Sequence, residues 1–462
     1  MTSDAAEAYL RRRTGIAPAR TGLSWKKRLL RSKWTWLTVG VLGISAVSII
    51  TLIRDLMKSQ TTEDGVIPGL NSDALWLCFG KAMPTLVFWI ACFVLIDRYK
   101  PQRLIAWFLA VMWGGCVAIT GAYYANSWVA AQMAVVDETS GTSAVRAAVF
   151  VAPFVEEFMK ACVIFLIASV DRNRFTSRVS GAVIGGLAGA GFAFTENIIY
   201  YARVVVYGSY TSGAGDVMEY LDYMVLLRGV LTCFGHPLFT LMTGVGVAFA
   251  VTSRSKTVRV LAPVTGYLFA ALLHMFFNWA SSMISEEQLV PLILIIAWPI
   301  VILVLFRVIV SSVSQGRTVK ARLGDYVTMG WLPDTYPAAF SRLRTRAWTV
   351  IISPWHANVI KTWTLQTRVT QLALLREAIT RGTVDDAGIW RERELVDEIS
   401  RLAHNGGLVN GKGLRPYWPW KSIKARISLL MSRSRNSSVA PHNVVGSPIT
   451  YSDQNPRWGP PE

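Results

Sequence analysis

The residues of this chain best suited to chemistry are ionisable side chains inside long apolar segments. Glu156, Glu157 and Lys160 lie within the stretch VFVAPFVEEFMKACV, where every other side chain is uncharged. An isolated charge at the centre of a bilayer costs at least ~2.5 kcal/mol, so such residues usually face the interior of a helix bundle and have a function. Lys160 follows Glu156 by four residues and Glu157 by three, so it lies one helical turn from either carboxylate.

Further polar residues lie in three later apolar segments: Glu196 and Asn197, then His236, then His274 and Asn278. Counted at 1.5 Å per residue, these glutamate and histidine positions and Glu156 lie about 10 to 20 Å from the outer ends of their predicted helices. A carboxylate can act as a general base on water, and an imidazole or an amide can stabilise an oxyanion. The shared depth therefore predicts activation of water inside the membrane.

Each residue alone also has a simpler interpretation. A single His or Asn in a membrane helix often only hydrogen-bonds to a neighbouring helix. Glu157 and Lys160 can form a structural ion pair, and Arg228, near the outer end of its segment, can extend its guanidinium to the membrane surface. The gathering of several such groups at one depth favours a reaction centre over these separate explanations.

Composition indicates a membrane protein. Of the 462 residues, 52% are hydrophobic and only 16% are charged, against about 25% charged in soluble proteins. The formal net charge of +18 does not predict a nucleic acid partner, because the basic residues are concentrated in alternate connections, as the positive-inside rule requires. The cysteines lack the spacing of a metal site or a disulfide framework.

Eight apolar segments approach the ~20 residues that a spanning helix needs. Their connections alternate between basic and acidic, which places both termini in the cytoplasm. We predict an all-α polytopic membrane protein whose eight-helix transmembrane bundle occupies residues 34–312. The predicted spans are 34–53, 78–96, 103–124, 147–170, 180–203, 223–251, 259–281 and 289–312. In the fifth, Gly181, Gly185 and Gly189 recur every four residues, which is typical of close helix packing.

The flanking regions are predicted to be cytoplasmic. Residues 1–33 form a basic N-terminal segment, and residues 313–432 form a basic region with short amphipathic helices. The two clearest of these helices are at 366–379 and 390–402. Residues 433–462, rich in Ser, Pro, Asn and Arg, are predicted to be disordered. The C-terminal tail is therefore partly helical and partly disordered.

The intramembrane motifs, in this order, resemble those of the PrsW family of intramembrane proteases, which is related to the CAAX-protease and Abi superfamily. The motifs are Glu156-Glu157-x-x-Lys160, Phe192-x-x-x-Glu196-Asn197, Gly235-His236-Pro237-Leu238-Phe239-Thr240 and His274-x-x-x-Asn278. The resemblance covers roughly residues 147–281, with weaker likeness across all eight spans, and none of the region after 313. It implies a peptidase of a bacterial plasma membrane. Its expected reaction is site-1 cleavage of a single-span, anti-sigma-factor-like protein near the extracytoplasmic face, which would start a stress response.

The resemblance also implies roles for individual residues. Glu156 would be the general base, Glu157 would support it, and His236 would assist catalysis. His274 and Asn278 would stabilise the oxyanion or bind metal. The supporting residues would be Lys160, Phe192, Glu196 and Asn197.

A metal cofactor stays open at this stage. Zinc in a catalytic site keeps three protein ligands and one open position, so His236, His274 and Glu196 are the candidate ligands. The sequence contains no His-Glu-x-x-His motif, which favours a glutamate mechanism without metal. No other cofactor is expected.

The competing functional class is a transporter, since intramembrane Glu and His residues also build proton relays. The sequence shows neither an inverted repeat nor a matched pair of Gly/Pro-broken helices, so the protease is the preferred interpretation. The expected partners are a single-span membrane protein substrate and the lipid bilayer, and no nucleic acid.

Overall fold

The computed structural model describes residues 29–62, 65–97, 99, 103–136, 145–170, 178–208, 216–253, 255–284, 286–380 and 386–416. The chain divides into two units, Met1–Lys412 and Gly413–Glu462, and every element named below belongs to the first. The predicted disordered tail, 433–462, lies outside the described residues, as does most of the predicted N-terminal segment, 1–33.

Among the described residues, the regular secondary structure is helical apart from one short antiparallel hairpin, in which β1 (Gln60–Thr62) pairs with β2 (Gly65–Ile67). Among the described residues, four helices contain a π-helical turn, at Trp113–Ala118, Ala147–Val151, Leu227–Leu231 and Ile293–Ala297. Nine helices of the apolar region are described, and consecutive helical segments that follow without a break share one label. They are α1 (Lys33–Leu56), α2 (Ser72–Ile96), α3 (Leu104–Met112, Trp113–Ala118 and Ile119–Val136), α4 (Ala147–Val151 and Ala152–Val170), α5 (Arg178–Gly208), α6 (Val217–Leu226 and Leu227–Leu231), α7 (Gly235–Thr252), α8 (Lys256–Met283) and α9 (Glu286–Leu292, Ile293–Ala297 and Trp298–Thr328).

Among the described residues, seven helical segments are long and apolar enough to cross a membrane. They correspond to seven of the eight predicted spans, with α6 and α7 together forming one of them. The segment not included is α4, because Glu156, Glu157 and Lys160 interrupt its apolar stretch. Helix α4 nevertheless covers the predicted range 147–170, and its crossing of the membrane stays a prediction.

The sixth predicted span, 223–251, is not one continuous helix. Helix α6 ends at Leu231, and α7 begins at Gly235 after a turn. Pro237 explains the new start, because proline lacks the N–H of a helix interior and its fixed φ suits a first turn. His236 therefore lies in the first turn of α7, with the helix N-terminus beside it.

The glycine spacing of α5 serves direct contact with α7. A Cβ atom added at Gly185 would lie 2.5 Å from the carbonyl oxygen of Thr240, and one added at Gly189 would lie 2.2 Å from that of His236. Gly181 makes a similar approach further along α7. The predicted close helix packing is confirmed, and the contact fixes the position of His236.

Beyond the predicted end of the last span at 312, helix α9 continues to Thr328 and contributes to a second apolar core. The core is completed by α10 (Tyr336–Ser341), α11 (Leu343–His356), α12 (Val359–Thr380) and α13 (Asp386–His404). The last two contain the predicted helices 366–379 and 390–402. Tyr99, from the connection between α2 and α3, enters this core and donates a hydrogen bond to the carbonyl of Ser341 at 2.6 Å.

Candidate functional site

Helix α4 buries three ionisable side chains on one face. Glu156 is 7% exposed, and Glu157 and Lys160 are 0% exposed. The Lys160 Nζ atom lies 2.8 Å from Glu157 Oε1 and 3.5 Å from Glu156 Oε2. The spacing of three and four residues therefore does place one ammonium against both carboxylates, as the sequence predicts.

Glu157 has hydrogen-bond partners on three helices. Besides Lys160, its Oε2 accepts from Thr240 Oγ1 at 2.7 Å, and its Oε1 lies 3.2 Å from His274 Nδ1. Such a fully engaged carboxylate is suited to positioning its neighbours rather than to taking a proton from water. Thr240 belongs to the sequence motif around His236, but no role was predicted for it. Its spacing of four residues from His236, which puts both on one helix face, could have indicated that it belongs to the site.

His236 connects two charged groups. Its Nδ1 lies 2.9 Å from Lys160 Nζ, and its Nε2 lies 2.8 Å from Glu196 Oε2. An ammonium can only donate and a carboxylate can only accept. The hydrogen-bond network therefore assigns a neutral imidazole with its proton on Nε2.

Glu196 is held by a cation on the neighbouring helix. Arg228 Nη2 donates to Glu196 Oε2 at 2.6 Å, and Arg228 Nε donates to Asn197 Oδ1 at 3.0 Å. The guanidinium also stacks 3.9 Å from the ring centroid of Tyr200. Arg228 therefore turns to the bundle interior, and this gives both residues of the Glu196-Asn197 pair a defined partner.

Glu156 groups with both imidazoles. Glu156, His236 and His274 each offer one ligand atom, and these atoms lie within 4.8 Å of one another. His274 Nε2 is 3.8 Å from Glu156 Oε2, and the rings of His236 and His274 stand at 88° with centroids 4.9 Å apart. Phe239 stacks on His274 at 5.1 Å. The sequence proposed Glu196 as the third candidate ligand, whereas the structure places Glu156 beside the two histidines.

This group fits a divalent metal ion by its donor set and its surroundings. Glu156 Oε2 is buried and makes no hydrogen bond to any described residue. Each imidazole has one nitrogen against a carboxylate, His236 on Glu196 and His274 on Glu157. Carboxylates commonly hold metal-binding histidines in this way.

The charge balance of the cluster also favours a bound metal ion. Three carboxylates, those of Glu156, Glu157 and Glu196, contact two permanent cations, Lys160 and Arg228. A cluster with all three carboxylates ionised and both imidazoles neutral would carry one uncompensated negative charge in a buried environment, where such a charge is costly. An added cation would balance it. Lys160 Nζ lies near the same atoms of Glu156 and His236 and would compete with that cation.

The remaining predicted site residues have different positions. The Phe192 ring lies under Lys160, with Nζ 3.8 Å from its centroid, and beside His236 at 5.0 Å. Asn278, one turn beyond His274, donates instead to the carbonyl of Ala148 at 3.0 Å. Asn278 therefore joins α8 to the start of α4, and its predicted role at an oxyanion is not tested by this contact.

Asn126, on α3, is a further polar neighbour of Glu156 that the sequence motifs do not include. Its Nδ2 donates to Glu156 Oε1 at 3.4 Å, and its Oδ1 is buried without a hydrogen-bond partner among the described residues. The predicted third span ended at 124, whereas the helix continues to Val136. In the longer helix, Asn126 lies at the depth of the other polar residues. The shorter predicted span excluded it, so this signal was missed.

Comparison with known proteins identifies the region that contains this site. A family model described as PrsW family intramembrane metalloprotease matches residues 100–305. The matched region includes every residue of the cluster and is longer than the range 147–281 suggested by the motifs. No curated protein and no solved structure matches the chain significantly. The match supports intramembrane protease activity for residues 100–305.

Proposed function

We propose that Glu156 is the general base of peptide-bond hydrolysis in a membrane protein substrate, on the premise that residues 100–305 match the PrsW family of intramembrane metalloproteases. The observation that carries this proposal is the state of its carboxylate. Glu156 is buried and lies within reach of two imidazoles, and its Oε2 atom has no hydrogen-bond partner among the described residues. Lys160 and His274 approach this oxygen only to 3.5 and 3.8 Å, whereas Glu157 and Glu196 each have a cation and a histidine at 2.6 to 3.2 Å.

The reaction begins when Glu156 takes a proton from water, whose oxygen then bonds to the carbonyl carbon of the scissile peptide. The π electrons of the carbonyl move to its oxygen and give a tetrahedral oxyanion. Collapse of this oxyanion restores the C=O bond and breaks the C–N bond. The leaving amine takes the proton back from Glu156, so the base is regenerated.

The two histidines complete the centre. The hydrogen bonds of His236 to Glu196 and of His274 to Glu157 hold both rings beside Glu156. Groups fixed in advance around a developing charge stabilise it without reorganisation. Helix α7 adds to this effect, because its N-terminus lies next to His236 and carries a partial positive charge.

We propose that Glu156, His236 and His274 hold one divalent metal ion, with zinc as the candidate. The family is described as a metalloprotease, and these residues have the donor set of a catalytic zinc site. When bound, the metal would polarise the scissile carbonyl as a Lewis acid. A carboxylate has two oxygens, so Glu156 would keep one oxygen for the proton of the water while the other faces the metal.

For the membrane topology, we propose eight spans with both termini in the cytoplasm of a bacterial cell. Helix α4 supplies the eighth span, and burial of its charges against α7 and α8 offsets the cost of their insertion. This topology puts the site in the outer half of the membrane. The substrate class it favours is a single-span regulatory protein of the anti-sigma-factor type, cut near the extracytoplasmic face to start a stress response.

The proposal is tested by comparing the extracytoplasmic peptides released by cells that carry wild-type protein, Glu156→Gln or Glu219→Gln. Gln keeps the shape of Glu156 and removes the base. We expect one single-span protein to lose its ectodomain with wild-type protein and with Glu219→Gln, whose carboxylate is exposed on α6. Equal release with Glu156→Gln would overturn the proposal. A change in proton flux without any change in peptide release would favour a transporter.

A further inference from the structure

Asn126 is a half-buried polar residue on the side of α3 that faces the helix bundle. Ile119 and Ala122, seven and four residues before it, are buried, and the three share one side of α3. Helix α3 is held in place by Trp113, whose Nε1 donates to the carbonyl of Met159 on α4 at 2.8 Å. The position of Asn126 against Glu156 is therefore set by helix packing.

The hydrogen bonding of Asn126 is incomplete. Its Nδ2 reaches Glu156 Oε1 at 3.4 Å, which is long for a hydrogen bond. Its Oδ1 is buried and has no partner in the described part of the chain. An Asn whose role is to join two membrane helices would normally satisfy both ends of its amide, because an unpaired buried polar atom is costly.

We propose that Asn126 positions the attacking water of the protease. The water donates one hydrogen to Asn126 Oδ1 and the other to Glu156, which orients its lone pair towards the scissile carbonyl carbon. Nδ2 of the same amide donates to Glu156 Oε1 and keeps the carboxylate turned to the water. This inference rests on the proposed function of Glu156 and assigns a second residue that contacts the reacting atoms.

The chemistry requires such a group because a water held by a single hydrogen bond can rotate. Two acceptors fix both O–H bonds, and only the one directed at Glu156 breaks. Orientation of a reactant is a recognised source of rate. Loss of one hydrogen bond to a charged or reacting group lowers a rate by about 10- to 100-fold.

The relative activities of two Asn126 variants distinguish a role in water positioning from a role in packing. Asn126→Leu fills the space with an apolar group and excludes water, whereas Asn126→Ala leaves room for a second water molecule. We expect release of the peptides that depend on Glu156 to fall about 10- to 100-fold with Asn126→Leu and less with Asn126→Ala. A packing role predicts the reverse order, because Ala creates a cavity and Leu does not.

The matched control is Ser127→Leu, which places the same side chain on the exposed side of α3. We expect it to release peptides at the wild-type rate. Retained bound metal and an unchanged thermal midpoint in Asn126→Leu would show that the site itself is intact. Near-normal release with Asn126→Leu, or lower release with Asn126→Ala than with Asn126→Leu, would overturn the inference.

A measurement without substrate tests the water directly. Infrared spectra of the purified protein in H₂O and in H₂¹⁸O report bound water through an isotope-shifted O–H band. We expect wild type and Ser127→Leu to share a band that Asn126→Leu and Glu156→Gln lack. If the Asn126→Leu spectrum keeps it, Asn126 does not hold this water. If wild type and Glu156→Gln release the same peptides, the proposed protease role of Glu156 fails instead.

Discussion

His274 Nδ1 lies 3.2 Å from Glu157 Oε1, while the other nitrogen of the same ring lies 3.8 Å from Glu156 Oε2. One imidazole therefore connects two adjacent glutamates that do different work. Glu157 is within hydrogen-bond distance of the ring, whereas Glu156 Oε2 accepts no hydrogen bond from any described residue.

Glu157→Gln tests this division of roles. The amide cannot accept from Lys160, Thr240 and His274 as a carboxylate does, so His274 would lose its fixed orientation. We expect proteolysis or metal affinity to fall about 10- to 100-fold, the usual effect of losing a group that orients a metal ligand. Peptide release and metal content of purified protein measure the two quantities. Wild-type values for both would show that Glu157 does not hold His274.

Lys160→Met tests the buried ion pairs. The variant leaves Glu157 and Glu156 buried without their ammonium partner, and breaking such a pair costs about 3–5 kcal/mol. We expect a corresponding loss in the free energy of unfolding measured in detergent. The double variant Lys160→Met/Glu157→Leu removes both charges and should recover much of the stability. A single variant as stable as wild type would contradict the buried pair.

Metal analysis tests the Glu156, His236 and His274 group. We expect purified active protein to contain about one divalent metal ion per chain, and His236→Ala to lose it, because a catalytic site needs three protein ligands. A strong chelator should abolish activity and added zinc should restore it. Glu219→Gln serves as the control that keeps its metal. Full activity in metal-free protein would leave the histidines as hydrogen-bond donors only.

Gly189→Ala tests the contact that positions His236. The added methyl would meet the carbonyl of His236 at 2.2 Å, so α5 and α7 must separate. We expect a loss of about 1–3 kcal/mol in stability together with lower proteolysis. Gly43→Ala, on α1, is the matched control, because nothing lies within 4 Å of a Cβ atom added there. Equal behaviour of the two variants would show that this contact is unimportant for His236.

Reporter fusions test whether α4 crosses the membrane. A reporter fused after Asp137 should be extracytoplasmic, and one fused after Arg174 should be cytoplasmic. The two positions flank α4, so only a spanning helix gives opposite signals. The same signal from both would leave seven spans and would move the C-terminus to the other side of the membrane.

Much of the architecture follows from the sequence, because spanning helices form all their backbone hydrogen bonds within a short segment of chain. Apolar length and alternating charge were enough to place α1, α2, α5 and α8. The spacing of Glu156, Glu157 and Lys160 was enough to predict their contact, since helix geometry alone brings such residues together. The family motifs selected the same residues by resemblance.

Other features depend on contacts between helices and were not predictable in this way. Three features depend on how separate helices pack. They are the break before His236, the position of Glu156 rather than Glu196 beside both histidines, and the approach of Asn126 to Glu156. The linear sequence gives the depth of a polar residue in its helix but not the direction in which the helix turns it. Only the tertiary structure decides which buried polar atoms are paired and which one is left available for chemistry.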